Sequence, residues 1–330
     1  MVAPFEEVTS QEISWPLDGT IMDATVTKPV GKGPFAGVVM AAGSGPTDRD
    51  WNSPLLPGTN GSARLLADAL ATAGIASIRY DKRASGPRAM ENVQVLAGKL
   101  SMQSHRDEFD GATRMLASEA DVDAERIFAI ANSEGTLHAL NYQSATPPIP
   151  LKGLVLIGPP GRPIAEVARS QIMETVATMP DSDVLMAHYD EAIAQFVAGQ
   201  TVTSDPALPE IARNLIMGLT APINQPFSRE LWTADAASLI AKVEAPILVV
   251  IGKKDVQVDW RADGDRIEKS VGASNEVTFS FPENADHVVK YEPRPRSDLT
   301  ATSSGEYNAE GRVLDPDTMA AILDWLKAHT

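Results

Sequence analysis

The stretch Ile127-Phe128-Ala129-Ile130-Ala131-Asn132-Ser133-Glu134-Gly135 decides the fold. Its first four residues form a continuous apolar run, the pattern of a strand covered on both faces. A helical pattern follows, so Ser133 stands on a tight strand-to-helix turn. A serine there projects its Oγ clear of the sheet. The positions two before and two after it must be small, because larger side chains would meet neighbouring backbone. Gly135 meets the second requirement of this G-x-S-x-G pattern, and Ala131 stands where the first glycine belongs. The competing reading of Ser133 is a helix N-cap hydroxyl.

Working outward, short strand-like runs recur at Val38–Ala41, Ile75–Ile78, Leu154–Ile157, Ile247–Val250 and Val277–Phe279. Helical patterns lie between them. Ser62 opens one, ahead of Leu65, Leu66, Ala69 and Leu70. Ser104 with Asp107 approximates a capping box ahead of Phe109, Met115 and Leu116. This β-α-β-α order predicts an α/β class protein with a doubly wound, mostly parallel sheet. Glu12–Trp15 and Thr20–Lys28, around Asp18-Gly19, predict an antiparallel hairpin at the sheet edge.

One interval breaks the alternation. From Gly161 to Lys242 there is no strand signal, and Leu185, Tyr189, Ile193 and Phe196 recur at helical spacing, as do Leu208, Ile211, Leu215 and Leu219. Pro180, Pro206, Pro222 and Pro226 punctuate them. The chain therefore divides into a core of residues 1–160, a helical insertion of 161–242 and a second core part of 243–330. The insertion is expected to be a lid that gates access; the alternative is extra helices packed on the sheet edge. Met173, Met179, Met186 and Met217 within it are expected as core filler, with a flexible substrate-facing surface as the other possibility. Glu292 to Asp315 has no clear period and is expected to be a long surface loop, before a last helix from Pro316 to Ala328.

Composition removes whole classes of function. Against 28 Lys+Arg stand 44 Asp+Glu, a net charge of −16, with no basic cluster to override it, so nucleic acid is not an expected partner. The chain of 330 residues has no cysteine, hence no disulfide framework, thiolate metal site or cysteine nucleophile. The start, Met1-Val2-Ala3-Pro4-Phe5-Glu6-Glu7, has neither a basic nor an apolar leader segment. No apolar run approaches the ~20 residues of a membrane span. A cytoplasmic protein without a membrane partner is the expectation.

Beyond Ser133, the order Ser…Asp…His carries the chemistry. Asp255, in Gly252-Lys253-Lys254-Asp255, follows the strand ending at Ile251, at the sheet edge where open α/β sheets place their sites. Pro282-Glu283-Asn284-Ala285-Asp286-His287 follows the next strand. Of the five histidines, His105 precedes the serine, His138 lies on the helix after it, His188 in the insertion and His329 beside the end. That leaves His287. A serine hydroxyl is a poor nucleophile until an imidazole takes its proton, and a carboxylate holds that imidazole in the useful tautomer. Ser133 is thus the candidate nucleophile, His287 the base and then acid, and Asp255 the orienter. Asp259, placed to enter the next helix, and Asp286, adjoining the histidine, are rival carboxylates.

Acyl transfer also needs two donors for the tetrahedral oxyanion. The N–H of Glu134, the residue after the nucleophile, is one candidate. The other comes from the glycine-bearing loop Met40-Ala41-Ala42-Gly43-Ser44-Gly45-Pro46, with the Ser44 N–H first and Gly43 second. Gly43 and Trp51, close to this loop, are candidate substrate contacts. Gly43-x-Gly45 lacks the third glycine of a dinucleotide fingerprint.

Four ordered blocks between Gly37 and Lys290 now carry a family resemblance. Besides the serine turn, the chain has Gly43-Ser44-Gly45-Pro46-Thr47-Asp48-Arg49-Asp50, Arg79-Tyr80-Asp81-Lys82-Arg83 and Gly252-Lys253-Lys254-Asp255-Val256-Gln257-Val258, and ends the region with Ala285-Asp286-His287-Val288-Val289-Lys290. It resembles the α/β-hydrolases of the bacterial serine-esterase group, which carry G-S-G-P-x-D-R-D, R-Y-D-K-R and G-x-x-D-x-Q-V segments. Two positions depart from that group: Ala42 replaces a histidine before Gly43, and Ala131 replaces a glycine. The resemblance implies an α/β-hydrolase fold with an inserted helical lid, and cleavage of small carboxylic esters through an acyl-enzyme. No metal or organic cofactor is called for. A thioesterase or an aminopeptidase-like amidase uses the same triad, and a non-catalytic ligand-binding relative is the alternative of a different class. The charged residues Asp48, Arg49, Asp50, Arg79, Asp81, Lys82 and Arg83 are expected to form an ion-pair network pinning the loop after the first core strand, against direct substrate contact by Arg49 or Arg83.

Overall fold

Each central strand carries two cores at once, because successive side chains point to opposite faces. Val38 and Met40 face one layer with Phe128 and Ile130; Val39 and Ala41 face the other with Ile127 and Ala129. The computed structural model describes residues 8–272 and 275–330. Its first strands, β1 (Thr9–Leu17) and β2 (Thr20–Lys28), form the antiparallel hairpin, turning at Asp18 and Gly19 with positive φ. Then follow β3 (Phe35–Ala41), α1 (Ser62–Thr72), β4 (Ile75–Tyr80), α2 (Ala89–Leu96), α3 (Met102–Ala117), β5 (Val122–Asn132), α4 (Glu134–Ser144) and β6 (Gly153–Ile157). After the helices α5 (Ile164–Val176), α6 (Ser182–Val197), α7 (Glu210–Thr220), α8 (Phe227–Trp232) and α9 (Ala236–Ile240) come β7 (Ile247–Val250), α10 (Ala262–Ser270), β8 (Val277–Ser280) and α11 (Pro316–His329).

The sheet order is β1-β2-β4-β3-β5-β6-β7-β8, parallel from β4 to β8. This is the doubly wound sheet expected, with the hairpin at its edge. Helices α1 and α11 cover one face through Leu66, Leu70, Ile322 and Leu326. Helices α3, α4, α9 and α10 cover the other through Phe109, Leu137, Ile240 and Ile267.

Two helix starts differ from expectation. Gly61, not Ser62, holds the cap position of α1, and the Ser62 hydroxyl is buried without a partner. The capping box of α3 is Ser101 with Ser104: each side chain accepts the other's backbone N–H, at 3.0 and 2.9 Å. Ser101 stands at the N-cap and Ser104 at N3, so the box begins three residues before the expected one. The region from Glu292 to Asp315 holds two short 3-10 turns, Arg296–Asp298 and Ala301–Glu306.

Residues 161–242 fold as helices without a strand. Tyr189, Leu185 and Met186 of α6 pack on Ile172 of α5 and on Ala212 and Ile216 of α7 in a core of their own. Of the four methionines only Met186 is filler; Met173, Met179 and Met217 face solvent.

Candidate active site

The β5 ladder runs straight into the serine turn. The Ser133 N–H donates to the Ile157 carbonyl at 2.8 Å, one step beyond the last pair of β5 with β6. Ser133 itself has φ 53° and ψ −124°, a costly conformation for a residue with a Cβ. It occupies the N-cap position of α4, yet its hydroxyl makes no capping hydrogen bond. That removes the N-cap reading: the strain places Oγ outward instead of over the helix end. At Gly135 a Cβ would lie 2.5 Å from the Ala42 carbonyl oxygen and 2.7 Å from that of Ala41, so only glycine lets α4 start this close to β3. Ala131 is fully buried at the other small position.

Parallel pairing puts the ends of β6, β7 and β8 beside this turn. Asp255 lies beyond β7 and His287 beyond β8, and His287 Nδ1 meets Asp255 Oδ2 at 2.7 Å, both buried. The other Asp255 oxygen, Oδ1, accepts the N–H groups of Gln257 and Val258 at 2.7 and 2.9 Å, which fixes the carboxylate's orientation. Burial pushes the His287 pKa down, but the charge and hydrogen bond of Asp255 more than reverse this, so it stands above the ordinary 6.5. The rivals are engaged elsewhere. Asp259 Oδ1 accepts the N–H groups of Arg261 and Ala262 at the start of α10. Asp286 accepts from the amides of Val288 and Lys290 and pairs with Arg312 at 2.8 Å.

Two supports of the histidine had no signal in the motif. Asn132 Nδ2 donates to the His287 carbonyl at 2.9 Å. Gly158, with φ +55°, leaves room behind the ring; a Cβ there would lie 3.0 Å from His287 Cε1.

The loop after β3 is held from below by charge. Arg49 forks onto Asp81, Nη2 to Oδ2 at 2.6 Å, while the Arg49 amide donates to Oδ1 at 2.7 Å. Arg49 also pairs with Glu12, and Arg79 with Asp50 at 2.6 Å. Asp48 Oδ1 accepts the amides of Asp50 and Asn52, closing the loop on itself. Arg83 turns inward to Glu108, Nε to Oε1 at 2.9 Å, and His105 Nδ1 reaches Glu108 Oε2 at 2.9 Å. Neither Arg49 nor Arg83 lines a cavity next to Ser133. Lys82 does: its Nζ donates to the Gly43 carbonyl at 2.6 Å and stands 3.6 Å from Glu134 Oε1.

Ser133 forms part of the wall of two hollows. The smaller, about 290 Å³, has a mixed lining that includes Ser44, Trp51, Leu56, Gln257, His287 and Tyr307. Trp51 adopts φ 67° there, buried against the sheet. The larger, about 640 Å³, runs under the helical insertion and is walled by Leu100, Val167, Leu215, Leu219, Phe227 and Trp232. Its residues from the insertion come from α5, α7, α8 and the turn between α7 and α8; α6 contributes none, because it packs outside the other helices. Polar groups at its floor are Lys82, His105 and Glu134. Burial pushes the Glu134 carboxyl up, but Lys82 and the hydrogen bond from His138 outweigh it and hold the group well below the usual range. Burial also takes His138 down to about 4, so it is neutral near pH 7. Among the described residues, no cluster of three His, Asp or Glu side chains is arranged to hold a metal ion, and no helix is long and apolar enough to cross a membrane.

This sheet, with a strained serine turn between its central strand and the following helix, defines the α/β-hydrolase fold. Solved structures share it across nearly the whole chain. Proline iminopeptidase from Mycobacterium smegmatis superposes with a TM-score of 0.57 at 15% identity, covering 97% of this chain and 98% of that one. The α/β hydrolase GrgF from Penicillium sp. sh18 gives 0.56 at 14%, covering 98% and 99%. A family model described as serine aminopeptidase, S33, matches residues 59–294, and the chain belongs to that family. It is also 27% identical over 307 residues to esterase EstD of Thermotoga maritima, a match covering 91% of this chain and 64% of that protein's length.

Proposed function

We propose that this protein is a serine hydrolase that cleaves carboxylic esters through an acyl-enzyme. The observation that carries the proposal is the 2.7 Å contact between His287 and Asp255 beside a strained Ser133 in one cleft wall. In this reading Ser133 Oγ attacks the ester carbonyl carbon as His287 Nε2 takes its proton. Asp255 holds the Nδ1–H and stabilises the imidazolium. The N–H groups of Ser44 and Glu134, the latter at the positive end of α4, receive the oxyanion. His287 then gives the proton to the departing alkoxide, leaving Ser133 acylated, and water releases the acid by the same route reversed.

The two hollows divide the substrate. The proton donor must face the leaving group, and His287 lines the smaller cleft, not the larger apolar cavity. The alcohol therefore belongs in the cleft and the acyl chain in the cavity of about 640 Å³. An apolar acyl group suits that division, and the insertion acts as the acyl-side wall.

Esterase EstD of Thermotoga maritima is consistent with ester cleavage, while the family description includes aminopeptidases. A free substrate amine needs an unpaired carboxylate. The one acidic residue in either wall, among the described residues, is Glu134, already matched by Lys82 and His138. That favours an ester over an aminopeptidase substrate. The test is turnover of a p-nitrophenyl ester series against an amino-acid p-nitroanilide series. Hydrolysis of esters alone, lost in Ser133→Ala, supports the reading; anilide hydrolysis at a comparable kcat/KM contradicts it.

A further inference from the structure

We infer that Lys82 is a positioning residue for the oxyanion site: its ammonium grips the peptide group whose N–H receives the oxyanion and ties it to the segment supplying the second donor. The inference rests on the acyl-enzyme reading above. The Gly43 carbonyl and the Ser44 N–H are two ends of one peptide unit. Lys82 Nζ donates to that carbonyl at 2.6 Å, from a buried position. A cation on an amide oxygen draws electron density from the nitrogen and makes its N–H a stronger donor. It also fixes the plane of the peptide, and so the direction of the N–H.

The same ammonium stands 3.6 Å from the Glu134 carboxylate, and the Glu134 backbone N–H is the other proposed donor. Lys82 thus spans both halves of the site from beneath. The sheet order explains its reach: Lys82 follows β4, whose neighbour β3 leads into the Gly43 loop, and β5 beyond leads to Ser133. Ala42 stands where the resembling group has a histidine, so no side chain at that position can brace the loop. Thr47 Oγ1 donates to the Ser44 carbonyl at 2.7 Å and secures only the next peptide unit. The lysine supplies the brace.

A merely structural lysine would neutralise Glu134 and do nothing else. The two roles separate on ligands that do and do not form an oxyanion. A trifluoromethyl ketone adds Ser133 Oγ to its carbonyl and places a hemiketal oxyanion in the site; the matching methyl ketone binds as a ketone. Both are titrated against wild type, Lys82→Met, Glu134→Gln and the Lys82→Met/Glu134→Gln double variant, with kcat and KM on one ester. For Lys82→Met the expected loss in kcat is about 10- to 100-fold, short of the ~10²–10³ of deleting an oxyanion donor outright. KM changes little, trifluoromethyl ketone affinity falls in step with kcat, and methyl ketone affinity does not. The double variant, which buries no lone carboxylate, keeps the same deficit relative to Glu134→Gln and covers the case in which Lys82→Met alone does not fold. Recovery of the Glu134→Gln rate in the double variant, or equal losses for both ketones, overturns the role of Lys82. Failure of wild type to form a hemiketal overturns the acyl-enzyme reading first, and this inference with it.

Discussion

At the carboxyl edge of the sheet, backbone places every proposed reacting group. Ser133 is held by a strained turn, Asp255 by two amides on one oxygen, and His287 by its carbonyl bond from Asn132. The proposed acyl cavity a few residues away is made differently. Its insertion-side wall is a set of mostly apolar side chains from α5, α7 and α8, with α6 as outer support. Backbone-defined parts tolerate almost no change of residue type, since a Cβ at Gly135 or Gly158 meets backbone or the histidine ring. Side-chain walls can be resized by one substitution. On the proposed reading, chemistry and selectivity are therefore expected to be separable by mutation.

The largest effect falls on the backbone-defined edge. Ser133→Ala is expected to lower kcat on an activated ester by about 10⁴-fold or more, and adding His287→Ala to cost little further because the two act as a unit. Steady-state rates of the two single variants and the double variant check this; multiplicative losses would separate the residues. Asp255→Asn is expected to lower kcat by about 10³- to 10⁴-fold through the wrong tautomer. It also carries a sign. Only neutral His287 accepts a proton, and its pKa lies above 6.5. The acid limb of kcat/KM should thus rise with pH through a value above 6.5 in wild type and move down when the carboxylate is gone.

A smaller effect tests whether charge beneath the edge is structural. The Glu108 carboxyl, penalised by burial but held by His105 and Arg83, lies at about 2 in place of 4.5. A depressed folded value means stability present above 4.5 and lost as pH falls toward 2. Glu108→Gln should cost about 3 kcal/mol near neutral pH, leaving buried Arg83 with only the exposed Asp18 carboxylate at 3.7 Å, and should flatten the acid dependence of urea unfolding. The smallest effect belongs to the cavity. Gly218 lines it from α7, and a Cβ there meets nothing within 4 Å. Gly218→Leu is expected to shift acyl-chain preference by about 10-fold toward shorter esters at unchanged alcohol preference, read from kcat/KM across a chain-length series. Equal losses for all lengths would break the distinction between edge and wall.

The same contrast explains what was legible in the sequence. The turn at Ser133, the strand ends bearing Asp255 and His287, and the hairpin at Asp18-Gly19 are local, and a few residues state each of them. The charged blocks were legible as a network, but their pairing was not. Arg79 chooses Asp50, Arg83 chooses Glu108 and Lys82 chooses a carbonyl because β4 lies between β2 and β3, an order no short segment encodes. His105 looked dispensable by chain order, yet α3 carries it to the cavity floor beside Phe227. In the insertion, helical spacing marked the buried stripe of α6, while Ile211 of α7 faces the cleft and Met217 faces solvent, because that helix has three different neighbours: the insertion core, the cavity and water.

The central claim is that Ser133 is an activated nucleophile. Intact-mass analysis after exposure to a fluorophosphonate, with peptide mapping, tests it most directly. The account predicts one adduct, on Ser133, absent from Ser133→Ala. No adduct on a folded protein, or an adduct at another residue that persists in Ser133→Ala, would contradict it.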